Sequence, residues 1–230
     1  MRLVLFDIDG TMLSTEGAGR RAMEGALHAH FGTTGSPAYR YDGKTDLQIV
    51  RDLLRAEGVD DPVIEARLPA LVDDYLARLD AELSDPAHRT VVYEGVRELI
   101  DAIESRDDLV PGLLTGNLEQ GAHRKLRAAD LDPSRFRVGA FGSDHAHRPA
   151  LPAIALARWR RLGMHEAGGD RLVIIGDTPH DIHCGRDVGA RAIAVATGHY
   201  TVADLAPHAP AAVFADLRDT AAVLQVIDAD

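Results

Sequence analysis

Cysteine is almost missing from this chain of 230 residues: Cys184 stands alone, which excludes an intrachain disulfide framework and any cysteine-rich metal site. A lone thiol of this kind reads as a small buried helix residue rather than a reactive group. Basic residues are scarce as well, 25 Lys and Arg against 36 Asp and Glu, for a formal charge of −11. Nucleic acid and anionic membrane both call for a basic face, so neither is expected as the main partner. A phosphorylated substrate would need cations gathered locally, because the overall field repels it. No basic segment leads into a hydrophobic stretch, and no apolar run approaches the length of a membrane span. The expectation is a cytoplasmic protein made without a leader. Internal repeats and low-complexity tracts are also lacking.

What is present is ordinary in bulk and specific in detail. Hydrophobic residues make up 46% and charged residues 27%, as in a soluble globular protein, and the length suits one or two domains. The run Leu3-Val4-Leu5-Phe6-Asp7-Ile8-Asp9-Gly10-Thr11 ends abruptly in two acids, a glycine and a hydroxyl. A short apolar segment bounded by a turn signal reads as a buried strand of a parallel sheet. The carboxyl ends of such strands are where open α/β sheets gather ligands. Charges are costly there unless something pairs with them. Further apolar runs lie at 110–114, 138–141, 172–175 and 192–195, with a shorter one at 213–214 that suits an edge strand. Segments of helical spacing separate them, such as Val96, Leu99, Ile100 and Ile103. This alternation predicts a doubly wound parallel sheet.

Between about residues 16 and 92 the rhythm breaks into helical patterns with no convincing buried strand. Ala22, Met23, Ala26, Leu27 and His30 form one stripe that stops at Gly32. Thr45 is placed to cap a second, carrying Leu47, Val50, Leu53 and Leu54 and stopping at Gly58. The third and longest runs from Ile64 to Leu79. A crossover of this length exceeds what a βαβ unit needs, so the spacing predicts an inserted helical domain at 16–92 in a core formed by 1–15 and 93–230.

Two later strands also end in polar residues. Thr115-Gly116-Asn117 offers a hydroxyl, a flexible backbone donor and an amide at a helix start, which serves either as an anion cradle or as a cap. Gly176-Asp177-Thr178-Pro179-His180-Asp181 sets two acids four apart, which serve either a pocket or the first turn of a helix. The conjunction decides for a site. Asp7, Asp9, Asp177 and Asp181 would converge at one sheet edge, and like charges so close raise one another's pKa unless a cation is present. Oxygen-only ligands describe Mg²⁺ better than Zn²⁺. Metal, anion cradle and carboxylate together point to phosphoryl transfer. Arg148 is the expected balancing cation, while Lys125, two turns into a helix, is expected to lie too far away. His145 and His147 read as loop histidines.

With these residues in place the chain resembles the haloacid dehalogenase superfamily, in its phosphatase branch with a helical cap after the first strand. Residues 7–11 match the Asp-x-Asp-Gly-Thr motif in full, Thr115 the second motif, and residues 176–181 the Gly-Asp-x-x-x-Asp motif. Gly185, Gly189 and Ala190 are also similar. The third motif departs, with Arg148-Pro149 where the family usually has lysine. The stretch Gly43-Lys44-Thr45-Asp46 looks like the specificity segment of phosphoglycolate-phosphatase-like members.

The resemblance implies a Rossmann-like core and a Mg²⁺-dependent phosphatase acting on a small phosphorylated metabolite, as a monomer or homodimer. Asp7 would be the nucleophile and Asp9 the acid and base. Asp7, the Asp9 carbonyl, Asp177 and Asp181 would hold the metal. Thr115, Gly116, Asn117 and Arg148 would cradle phosphate, and Lys44 would reach substrate from the cap. The strongest rival is a phosphosugar mutase of the β-phosphoglucomutase type, which uses the same motifs. Dehalogenase chemistry fits less well because it does not need Asp9, and a phosphonate hydrolase would want a Schiff-base lysine from the cap and often lacks Asp9. A binding module without catalysis would not need to keep both Asp7 and Asp9.

Overall fold

The computed structural model of the chain describes residues 1–165 and 167–229. Strand β1 (Arg2–Phe6) lies near the middle of a parallel sheet. It pairs on one side with β4 (Leu109–Thr115), which pairs in turn with β5 (Val138–Phe141). On its other side come β6 (Leu172–Gly176), β7 (Arg191–Val195) and β8 (Ala212–Phe214). The order β5-β4-β1-β6-β7-β8 is the doubly wound arrangement predicted from the alternation of runs, with the 213–214 segment at an edge.

Both faces of the sheet are covered, which is why β1 is apolar without interruption. Successive residues point to opposite faces. Val4 and Phe6 pack with α4 (Val96–Glu104), α5 (Glu119–Ala128) and α9 (Thr220–Asp228). Leu3 and Leu5 pack with α6 (Leu151–Arg161) and, through Cys184, with α7 (Pro179–Cys184). These four β1 side chains are fully buried, contributing roughly 6–12 kcal/mol at about 1.5–3 kcal/mol each. Holding Asp7 charged just beyond them costs about 3 kcal/mol for a carboxyl raised from 3.8 to about 6. The core thus outweighs the acid at its edge. Burial pushes the Cys184 thiol up to about 12, in keeping with a packing role.

After β1 the chain forms α1 (Ala18–Phe31), α2 (Asp46–Ala56) and α3 (Asp61–Ser84), each near its predicted stripe. Thr45 caps α2 by accepting from the Gln48 N–H at 3.1 Å, as the sequence indicated. The three helices share an apolar cluster of their own, built around Met23, Leu27, Leu53, Ile64, Tyr75 and Leu79 and joined by Leu118 from the core. At the base of this insertion, β2 (Leu13–Ser14) pairs antiparallel with β3 (Val91–Val92). The sequence reading did not find this pair, because two residues are too few to show a period and Val91 is exposed. A short helix α8 (Val202–Leu205) precedes β8. Among the described residues, no helix is long and apolar enough to cross a membrane.

Candidate active site

The order β4-β1-β6 makes Thr115, Asp7 and Asp177 neighbours at adjoining carboxyl ends, and the turns that follow line a cleft of ≈ 750 Å³. The insertion supplies the other wall, including Lys44, Asp46 and Tyr75. Within the cleft the polar groups divide into two corners.

In the first corner Asp7, Asp177 and Asp181 each offer a carboxylate oxygen, all within 4.8 Å of one another, and all three residues are buried. Arg148 enters between them from the turn before α6: its Nη2 is 3.3 Å from Asp7 Oδ2 and donates to Asp181 Oδ1. Thr11 donates to Asp177 Oδ1 at 2.9 Å. Gly10, at φ 82°, lies against this corner, where an added Cβ would come within 2.4 Å of the Asp177 carboxylate. Asp181 takes the second of the two roles the sequence left open, in the first turn of α7, and also meets the cation of this corner. Its Oδ2 accepts from Thr178 N–H at 3.0 Å and Oγ1 at 2.6 Å, closing a capping box on α7, while Oδ1 takes Arg148.

Burial pushes the Asp7 carboxyl up to about 6; Arg148 pulls it down, and Asp181 and Asp9 add to the rise. Asp177 is also raised, first by burial and then by Asp181 and Asp7. Three buried carboxylates against one guanidinium leave two negative charges unbalanced. All the donors are hard oxygens, so the set fits a divalent cation of the Mg²⁺ kind.

The second corner holds Asp9, Thr115, Asn117 and Lys125. Asp9 does not join the first triad with its carboxylate. Its Oδ2 accepts from Lys125 Nζ at 2.7 Å and Asn117 Nδ2 at 2.7 Å, and Oδ1 accepts from Lys125 at 2.9 Å. Asn117 also donates to Thr115 Oγ1 at 2.8 Å and accepts from Lys125 at 2.6 Å. Thr115 is therefore no helix cap; the residue at that position of α5 is Leu118. Gly116 lies between, its backbone so close to the insertion that a Cβ would come 2.0 Å from the Lys44 carbonyl. The Lys44 ammonium sits 3.6 Å from the centre of the Tyr39 ring at the cleft wall. His145 and His147 stay in their loop, where the His147 N–H donates to His145 Nδ1 at 3.0 Å.

The placement of Lys125 corrects the expectation that it lies too far from the strand ends. Helical side chains lean toward the N-terminus, so a four-carbon stem recovers about a turn of distance. The signal was present in the sequence: Lys125 shares its face of α5 with the buried Gly121, Ala122 and Leu126. A lysine on an apolar stripe is almost always paired. The sequence reading also missed Asp46 and Tyr75 as site residues, and Thr197, which donates to the Gly10 carbonyl at 2.5 Å.

Residues 148–220 match the HAD-hydrolase-like family model. Over 229 residues the chain is 29% identical to N-acetylmuramic acid 6-phosphate phosphatase of Pseudomonas aeruginosa PAO1, covering 94% of this chain and 91% of that protein. Its fold matches a hydrolase from Pseudomonas syringae with a TM-score of 0.74 at 21% identity, covering 100% of both chains. It also matches a predicted phosphoglycolate phosphatase from Haemophilus somnus 129PT, with a TM-score of 0.70 at 16% identity over 98% of each chain. The motifs at residues 7–11, 115 and 176–181 thus gather at adjoining strand ends in a chain whose likenesses are to HAD-hydrolase-like proteins and to a phosphatase.

Proposed function

We propose that this HAD-like phosphatase is a Mg²⁺-dependent phosphomonoesterase for a small phosphorylated metabolite, working through a phosphoaspartate on Asp7. One observation carries the reading: a buried acid triad with a net negative charge stands beside a separate, cation-bearing cradle in the same cleft. In this reading Asp7, Asp177 and Asp181 hold the ion, together with the Asp9 backbone carbonyl. The ion would neutralise phosphoryl oxygens and let two anions approach.

The side chains divide the remaining work. An Asp7 oxygen attacks phosphorus in line, forming the new O–P bond as the ester P–O bond breaks. Asp9 donates a proton to the departing alkoxide and later takes one from the water that hydrolyses the phosphoaspartate. Lys125 and Asn117 hold the Asp9 carboxylate in one orientation, and Thr115 Oγ1, the backbone of residues 116–117 and the two cations face the transferred group. Residues 16–92 act as a cap over the core of 1–15 and 93–230, a division supported by their separate apolar cluster. Lys44 and Asn117 contact substrate from the two sides of the cleft.

The cleft has the volume of a site for a small organic molecule. The name of the P. aeruginosa relative makes amino-sugar phosphates the first compounds to assay, with phosphoglycolate and hexose phosphates beside them. The test is phosphate release across such a panel, with Mg²⁺ added and chelated. Metal-dependent release supports the reading; full turnover in chelator sinks it. Isomerisation of a hexose phosphate without net release would replace it with the mutase reading.

A further inference from the structure

Asp46 belongs to the insertion by sequence but to the cradle by its bonds. It is the first residue of α2, it is buried, and it touches both ends of the turn that follows β4. Its N–H donates to the Gly116 carbonyl at 2.8 Å, and its Oδ2 accepts from the Leu118 N–H at 2.9 Å. Tyr75 of α3 donates to the same Oδ2 at 3.4 Å. The neighbouring Thr45 adds a hydroxyl bond to the Ala146 carbonyl at 2.6 Å.

These bonds orient two successive peptide planes. In a trans peptide the C=O and N–H point opposite ways. Drawing the Gly116 carbonyl toward Asp46 therefore turns the Asn117 N–H away from the insertion, where it meets Thr115 Oγ1 at 3.3 Å. Drawing the Leu118 N–H toward Asp46 turns the Asn117 carbonyl the other way, where it accepts from Gly142 at 2.8 Å. The position of Asn117 follows, and with it the contacts of its amide to Asp9, Thr115 and Lys125. The N-cap of α5 is Leu118, whose side chain cannot cap; the carboxylate that meets its N–H comes from Asp46.

We infer that Asp46 is a positioning residue: its two-point grip on residues 116–118 sets the phosphoryl cradle, so the cradle is complete only with the helical insertion seated on the core. The inference rests on the reading of this cleft as a phosphate site. It makes the insertion part of the anion-binding machinery as well as a wall for the substrate.

The test uses the full chain with Mg²⁺, an aryl phosphate as substrate and inorganic phosphate as inhibitor. Asp46→Ala removes the acceptor. Asp46→Asn keeps an oxygen that accepts from Leu118. Leu118→Pro removes the donor from the other side, at a residue whose φ of −57° already suits proline. Losing such a charge-assisted bond should lower kcat/KM by roughly 10- to 100-fold in the Ala and Pro variants, with phosphate inhibition weakened about tenfold. Asp46→Asn should recover most of both losses. Folded Ala and Pro variants that bind phosphate like the parent would overturn the inference, and if only one of the two folds, that one decides. It is overturned equally if Asn is as impaired as Ala, since loss of charge beside Lys125 would then explain the effect. If instead the parent neither turns over nor binds phosphate, it is the phosphate-site reading that has failed.

Discussion

Asp7 and Asp9 leave the same strand two residues apart and enter opposite electrical settings. Asp7 is sealed among two other acids and shares one guanidinium with Asp181. Asp9 has a side chain 43% exposed and an ammonium and a carboxamide to itself. The first corner holds three acids against one guanidinium. The second is matched within itself, and hydrogen bonds hold it in place. Period-2 alternation does not separate the two residues, since both fall on the same side of the extended chain. The difference comes from what the neighbouring elements bring: Asp177 and Asp181 from the end of β6 and the start of α7, Lys125 from α5.

The sharpest way to break this comparison is to remove each carboxylate in turn. On the proposed mechanism Asp7→Asn deletes the attacking oxygen, and turnover should fall on the order of 10⁴-fold or more, with no acid-stable phosphoenzyme after quenching. Asp9→Asn removes proton transfer, so kcat should fall by about 10²–10⁴-fold while KM changes only a few fold. An Asp9 variant that is the worse of the two, or one that cannot bind substrate, would reverse the assigned roles. Metal removal probes the first corner directly. Chelation should abolish turnover, and Mg²⁺ should restore it and raise the melting temperature of the metal-free protein. Asp177→Asn should blunt that rise. A parent protein whose melting is indifferent to Mg²⁺ would show that the triad is not a metal site.

The two cations sharpen the comparison at smaller amplitude. Removing either should cost about 2–4 kcal/mol of transition-state stabilisation, seen as two to three decades in kcat/KM. Stability should separate them. Arg148→Ala leaves three buried acids uncompensated and should lower the melting temperature markedly. Lys125→Ala leaves Asp9, which can turn to water, so its loss should be mainly catalytic. Arg148→Lys should recover part of the activity, because charge persists while the planar fork is lost. If Lys125→Ala proves harmless, its bond to Asp9 is structural only.

The contrast between the corners also marks how far the sequence could be read. The first corner was legible because its residues sit at strand ends, and a parallel sheet places strand ends side by side whatever the details of packing. Arg148, in the turn just ahead of α6, lies beside these strand ends for a related reason. The helices of the insertion and their limits at Gly32, Thr45 and Gly58 were legible from periodicity and local cap chemistry. Lys125 was misplaced because distance along a helix axis was counted without the backward lean of the side chain. Asp46 entered only as the last residue of the specificity segment 43–46, because its partners are more than 25 residues away in sequence. Contacts across the two halves of the chain are set by tertiary packing, and no local pattern encodes them.

The subtlest expected difference between the corners lies in pH. Burial raises Asp7 from 3.8 to about 6, and Asp177 is raised as well. A carboxyl whose folded pKa lies above its unfolded value binds more protons in the folded state between the two values. Stability therefore increases as pH falls through about 6 toward 4. The metal-free protein should accordingly gain on the order of 1–3 kcal/mol between pH 7.5 and pH 5, with Asp46, also raised to about 6 chiefly by burial, contributing in the same direction. On the proposed reading metal and protons compete for the first corner, so stabilisation by a fixed Mg²⁺ concentration should shrink over the same interval. Asp46 is not among the triad oxygens, so Asp46→Asn should remove its share of the pH response and leave the Mg²⁺ response intact. Thermal melts at pH 5, 6 and 7.5, with and without Mg²⁺, read both effects at once. Equal Mg²⁺ stabilisation at every pH, or a metal-free protein most stable at pH 7.5, would mean that Asp7 and Asp177 are ionised without a cation and that the first corner is balanced as it stands.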